Sequence, residues 1–227
     1  MNSGGFILVG TFTSPVTGSV GRTSIDVATG DFGAAFFALL LVLSFFVGAV
    51  GASLIIEGSS ERTSEAYGFA LLLQAILLAA FVCIAGYART THPRALDAQA
   101  ALLCVAMGMQ NSLVTRLSGA VVRTTHLTGI VTDLAIEGAR WYRWHRARTG
   151  LPALVKGRVT PEKPIKQQSL LLLTIMLAFL LGALSGGLLT LHISRWAMAL
   201  PALATLAAAF YAFSQRDRPS IPPPSSG

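Results

Sequence analysis

Charge is scarce in this sequence: of 227 residues only 12% are Asp, Glu, Lys or Arg, against 53% hydrophobic residues. An ordinary soluble domain carries about twice that share of charge, so a water-exposed globule is excluded. Cysteine is nearly absent. Cys83 and Cys104 each sit inside an apolar run and read as small packing residues, not as a disulfide framework or a metal site. With only four His, none paired at ligand spacing, no metal is expected. No nucleophile–base arrangement, Walker loop or dinucleotide fingerprint is present, which argues against an enzyme and leaves no cofactor to expect. Residues 1–10 lack the basic start and full apolar core of a cleavable signal peptide, so the first long apolar run is the expected insertion signal.

What is present is long apolar runs. A bilayer-spanning helix needs about 20 residues, and runs 32–56, 66–87, 169–191 and 196–213 each reach or approach that length. A fifth, 98–117, carries Gln99, Gln110, Asn111 and Arg116 and should face protein or a cavity, because polar groups facing lipid are costly. Two stretches, 2–30 and 120–141, mix apolar residues with Thr, Gly and charge, and neither would be stable against lipid. The expected fold is an all-α integral membrane protein.

The net charge of +7 does not point to nucleic acid, since no aromatic-basic module accompanies it. About half of the Lys and Arg lie in the loop 140–167, which is how a cytoplasmic loop looks under the positive-inside rule. Within it Arg140, Arg143, Arg146 and Arg148 alternate with Trp141, Tyr142 and Trp144, the composition of an interfacial anchor on anionic lipid; a protein partner is the rival reading. The Pro- and Ser-rich end, 214–227, reads as a disordered tail.

The two awkward stretches resemble each other. Thr13, Ser14, Thr17 and Gly18 align with Thr124, Thr125, Thr128 and Gly129 at a constant offset of 111 residues, and the same offset pairs Asp26 with Glu137. Asn2-Ser3 and Asn111-Ser112 precede the two motifs. Each motif is followed by two long spans, the first holding a small-residue cluster, Gly48-Ala49-Val50-Gly51-Ala52 or Gly182-Ala183-Leu184-Ser185-Gly186. Such clusters let membrane helices approach closely, and the two should make equivalent contacts. The order motif, span, cluster, span reads as a duplication, with halves at 1–87 and 98–213.

Thr-Gly after extended, Thr-rich sequence has the look of a broken helix, with threonine oxygens capping N–H groups and glycine allowing the turn. Paired breaks of this kind surround the substrate in repeat-built transporters. Candidate solute-binding residues are therefore Thr13, Ser14, Thr17, Gly18, Gln110, Asn111, Arg123, Thr124, Thr125, His126, Thr128 and Gly129. Asp133 and Glu137, one turn apart and with Glu137 one turn from Arg140, are candidate coupling carboxylates. The plainer reading makes the motifs packing devices and the charges a structural ion-pair set.

Gly108-Met109-Gln110-Asn111-Ser112, the run from Arg123 to Leu134, and the N-terminal Gly4-Gly5-Phe6 and Thr13 to Gly18 together resemble the YoaK-like family of bacterial inner-membrane proteins, over about residues 2–213. The resemblance implies about six spans, here two related three-helix halves with broken Thr-Gly elements, in the bacterial inner membrane, and no established activity. Two features depart from it. The apolar helix that leads into the first motif elsewhere is not found before it here, and the usual Thr-Gly-Asn is replaced by Thr17-Gly18-Ser19 and Thr128-Gly129-Ile130. Six spans make the repeats inverted. The alternative is eight crossings in parallel repeats with a truncated first helix, which would put Arg89 and Arg94 on the side of the basic loop. The expected function is a secondary transporter or channel for a small solute, an anion being favoured by the helix starts. A membrane scaffold is the alternative and a lipid-acting enzyme comes third. A homodimer is compatible with so small a bundle.

Overall fold

The structure, a computed structural model, describes residues 2–11, 13, 16–59, 63–87, 93–117, 127–148, 166–192 and 195–215. Among these the regular structure is helical throughout: α1 (Asn2–Val9), α2 (Val16–Ala28), α3 (Phe32–Glu57), α4 (Thr63–Tyr87), α5 (Pro93–Leu117), α6 (Leu127–Arg148), α7 (Lys166–His192), and a single 3-10 turn (Arg195–Met198) that leads into α8 (Ala199–Ser214). Five helices are long and apolar enough to cross a membrane: α3, α4, α5, α7 and α8. The chain is thus an all-α protein with five candidate spans among the described residues. α1 has only eight residues, far short of a bilayer's thickness. α6 is long enough but carries Asp133, Glu137 and four arginines.

The helix ends follow from local chemistry. Gly30, at φ +80°, makes the turn from α2 into α3 in a conformation that residues with a Cβ rarely adopt. Asp31 then caps α3 by accepting a hydrogen bond from the Ala34 N–H at 3.0 Å, satisfying one donor that the helix leaves over. Pro93 opens α5, where its missing N–H costs nothing.

The chain divides into two compact units, one of residues Met1–Arg123 with Gly186–Gly227, the other of Thr124–Ser185. In the first, α3 and α5 run side by side in the same direction. Leu41 packs with Ala100 and Cys104, the Ser53 and Ser112 hydroxyls hydrogen-bond at 3.0 Å, and Glu57 pairs with Arg116, so residue numbers rise together along both helices. Midway, a Cβ on Gly48 would collide with the Val105 backbone, and one on Gly108 with the Phe45 carbonyl. The two glycines therefore set the crossing distance, as small residues do between membrane helices.

α4 runs against this pair. Its start packs Ala70 with Ala52, Ile56, Met109 and Leu113, and its later turns pack Leu78, Phe81, Val82 and Ala85 with Leu103, Ala106 and Met107. α8 is antiparallel to α4. The Ser64 hydroxyl donates to the Ala212 carbonyl at 2.6 Å and the Phe69 and Phe213 rings meet edge to face, while Met198 and Ala202, at the other end of α8, join the cluster around Leu78 and Phe81. The outer faces carry Phe36, Leu43, Phe46 and Leu54 on α3 and Phe69, Leu73 and Ile76 on α4, all well exposed, as a lipid-facing surface requires.

The second unit holds α6 and most of α7. The Glu137 carboxylate is buried and accepts from Arg140 at 2.6 Å and from the Ser169 hydroxyl at 3.4 Å, and the Trp141 indole donates to the same Ser169 oxygen. Gly182, in the second small-residue cluster, has open space around it. The tight contact at Gly48 is thus not matched at Gly182.

Gly48→Ala and Gly108→Ala are each expected to destabilise the first unit by about 1–3 kcal/mol, the usual cost of overpacking, read as a lower midpoint of thermal unfolding in detergent. Gly51→Ala, whose Cβ would meet nothing within 4 Å, should leave that midpoint unchanged or raise it, since alanine is the better helix former.

Candidate functional site

The first motif forms a helix break, placed slightly before the Thr-Gly pair. α1 stops at Val9, Gly10 turns the chain at φ +74°, and α2 begins at Val16. Thr13, inside the break, is 4% exposed, and its carbonyl accepts the Cys104 S–H from α5 at 3.4 Å. This anchors the connection against the bundle. Thr17 and Gly18 fall in the first turn of α2 and are exposed, Gly18 with open space about it.

Beside the break lies a cleft of about 130 Å³, lined by Val9, Gly10 and Thr11 from the end of α1, Ser19 and Arg22 from α2, and Ala34, Phe37, Ala38 and Leu41 from α3. Its floor and wall are apolar. Its polar groups are two hydroxyls and one guanidinium, together a set of donors suited to an anion. The Arg22 side chain is 67% exposed and stands 3.7 Å from Asp26, too far for a tight hydrogen bond, so the guanidinium can serve a second acceptor. Leu41 lies nine residues into α3, about 13 Å along its axis, so the cleft reaches well into the first span.

Other candidate residues are distributed along the helices. Gln110 is half-buried on α5 with its Oε1 lacking a hydrogen-bond partner, and Asn111 is half-buried beside Ser112. In the second unit Thr128 and Gly129 form the first turn of α6, with the Thr128 carbonyl accepting from the Thr132 hydroxyl at 2.9 Å. Asp133 is exposed while Glu137 is buried, so the two carboxylates sit in different surroundings although one turn apart. Ser14, Arg123, Thr124, Thr125 and His126 lie outside the described residues.

Four polar residues that the motif comparison passed over prove well placed. Thr11, Ser19 and Arg22 line the cleft, and the i,i+4 spacing of Arg22 and Asp26 was a readable sign. Gln74, in the middle of α4, is 1% exposed, and neither its Oε1 nor its Nε2 has a hydrogen-bond partner. It is the single polar residue in the run from Leu71 to Leu78, and intramembrane polar residues are functional candidates by default. Among the described residues no group of three His, Cys, Asp or Glu is placed to hold a metal.

No curated protein and no solved structure matches the chain. A family model described as a protein of unknown function (DUF1275) matches residues 1–211, nearly the whole chain and all five candidate spans up to the last turn of α8. With that coverage, the chain belongs to the DUF1275 family, whose function is unknown, and its apolar helices make it a multi-pass membrane protein.

Proposed function

We propose that the protein is a permease or channel for a small solute, an anion in preference to a cation, with its binding site in the cleft beside the first helix break. The cleft carries the reading: a guanidinium and two hydroxyls gathered at the apolar flank of a span, where the chain is interrupted by a turn. Such interruptions are tolerated at membrane depth where they line a cavity. Thr13 holds the break in place, Thr11, Ser19 and Arg22 meet the solute, and Asp26 competes with it for Arg22. Gln74 adds a second polar position, deeper along the path. A buried amide with no partner costs about 1–3 kcal/mol, a cost that a transport role would explain and a packing role would not.

The likeness between the halves supports the same reading. Asp26 and Glu137, at equal places in the two motifs, are each paired with an arginine of their own helix, Arg22 and Arg140. In this view the inner membrane is where the protein works.

Reconstituted protein should catalyse uptake of at least one of chloride, phosphate, acetate and succinate into liposomes. Arg22→Gln should reduce that flux by about 10-fold or more, the usual worth of a charge-assisted hydrogen bond, with Arg116→Gln as a control that leaves it intact. Absence of flux with the whole panel would favour a scaffold. Gln74→Leu is expected to raise the unfolding midpoint while slowing transport; a variant that is both more stable and fully active would remove Gln74 from the path.

A further inference from the structure

The cleft beside the first helix break has two unlike walls. Gly30 turns α2 back along α3, and Arg22 and Ala38 stand at equal distances from it in the chain, as do Ser19 and Leu41. The two helices therefore face each other across the cleft that these residues line. On one side Ser19 and Arg22, one turn apart on α2, join Thr11 from the end of α1. On the other, Ala34, Phe37, Ala38 and Leu41 recur at the spacing of a single helical face. This apolar wall is backed by the bundle, since Val9, Phe37 and Leu41 pack with Ala100 and Cys104 of α5.

Electrostatics and desolvation narrow what such a cleft can take. Among the described residues Arg22 is the one charged group in its lining, and its Nε stands 3.7 Å from Asp26 Oδ2, which balances its charge without engaging it closely. A monoanion at the guanidinium gains charge-assisted hydrogen bonds. A dianion leaves a second charge against the apolar wall with nothing to pair it. Chloride and phosphate, polar on every side, gain nothing from that wall and lose water to it. An amino acid fares no better, because Asp26 does not line the cleft and its Oδ2 is closed to solvent, out of reach of an ammonium group. A carboxylate that carries a hydrocarbon tail matches both walls, the tail leaving water as the charge meets Arg22. Size bounds the tail: an apolar cavity of about 150 Å³ takes up benzene, with about six non-hydrogen atoms. The cleft, at about 130 Å³, suits an anion of that size, and butyrate is one.

We propose that the cleft binds a short-chain monocarboxylate of about four carbons, its carboxylate on Arg22 with Thr11 and Ser19 as further donors and its tail against Phe37, Ala38 and Leu41. This rests on the cleft being the solute site and names what that site selects; it does not depend on the solute being moved.

Saturation-transfer NMR on the detergent-solubilised full chain reads binding at the methyl and methylene protons of butyrate. Titration should find butyrate about tenfold tighter than acetate, since each buried methylene is worth about fourfold, with little further gain in hexanoate. Arg22→Gln should weaken butyrate by about tenfold, and Ala38→Val, which narrows the cleft, should weaken butyrate more than acetate. 2-Aminobutyrate, equal in length but zwitterionic, should bind about tenfold more weakly or worse. Displacement of butyrate by phosphate or chloride at equal concentration, or equally tight binding of 2-aminobutyrate, would overturn the ligand class and leave a solute site at the cleft. Affinity that keeps rising through octanoate would make the ligand a fatty acid drawn from the bilayer and overturn the short chain. Binding indifferent to both Arg22→Gln and Ala38→Val would place butyrate elsewhere and overturn the site. If Ala38→Val fails to fold, Ala34→Leu narrows the same cleft from a half-buried position. Anion flux in liposomes without butyrate binding sinks this inference alone, whereas butyrate binding without flux of any anion sinks the permease reading and keeps the ligand.

Discussion

The close crossing of α3 and α5 is the contact on which the rest of the bundle depends. In a bilayer the lipid tails are as apolar as the side chains, so the hydrophobic effect does not drive one span against another, and close backbone approach must supply the attraction. Gly48 and Gly108 permit that approach from both sides. Once the backbones are near, short side chains complete the seam, with the Ser53–Ser112 hydroxyl pair on one side of the crossing and Leu41 with Cys104 on the other. α4 then fills the groove beside the pair with Ala70, Leu78 and Phe81, and α8 is added against α4 through Gly68, which accepts the Phe213 ring where a side chain would not fit.

Polar groups are arranged around this seam in a graded way. Serine and threonine hydroxyls along the spans donate to carbonyls of their own helix, as Ser44, Thr174 and Thr205 do, and so are satisfied locally. The Glu57–Arg116 pair lies at the end of the seam, where water can solvate what the pair leaves over. Gln74 breaks this pattern, being buried in mid-span without a hydrogen-bond partner. The cleft at Arg22 breaks it too, by placing a cation against an apolar wall. Departures from an otherwise consistent pattern of polar groups are where function is most reasonably sought.

Much of the architecture was legible in the sequence because span length and apolarity are properties of a segment by itself. Each of the five candidate spans overlaps a run visible in the sequence, and the small-residue cluster at Gly48 marked a real close contact. Its partner, Gly108, could not be read, since a pairing belongs to two segments and not to one. The same reasoning expected an equivalent contact at Gly182, which has open space about it, while Gly186 of the same cluster lies against Gly4. Likeness between the motifs drew attention to Thr17 and Gly18, yet the break falls at Gly10 and the cleft takes Ser19 and Arg22, further along α2. Those residues become neighbours of Leu41 only when α2 folds back onto α3. Among the described residues α1 and α6 are not candidate spans: length fails in one and hydropathy in the other.

The parallel pairing of α3 and α5 carries the crossing distance and the place of α4, so it is the claim to test most directly. In a protein with Cys83→Ser and Cys104→Ala, the pair Ser53→Cys/Ser112→Cys should form a disulfide in native membranes under mild oxidation, since hydroxyls at 3.0 Å imply Cβ atoms near enough to bridge. The pair Ser53→Cys/Ala98→Cys should not. Cross-linking of the second pair without the first would reverse the relative direction of the two helices and contradict the architecture built on it.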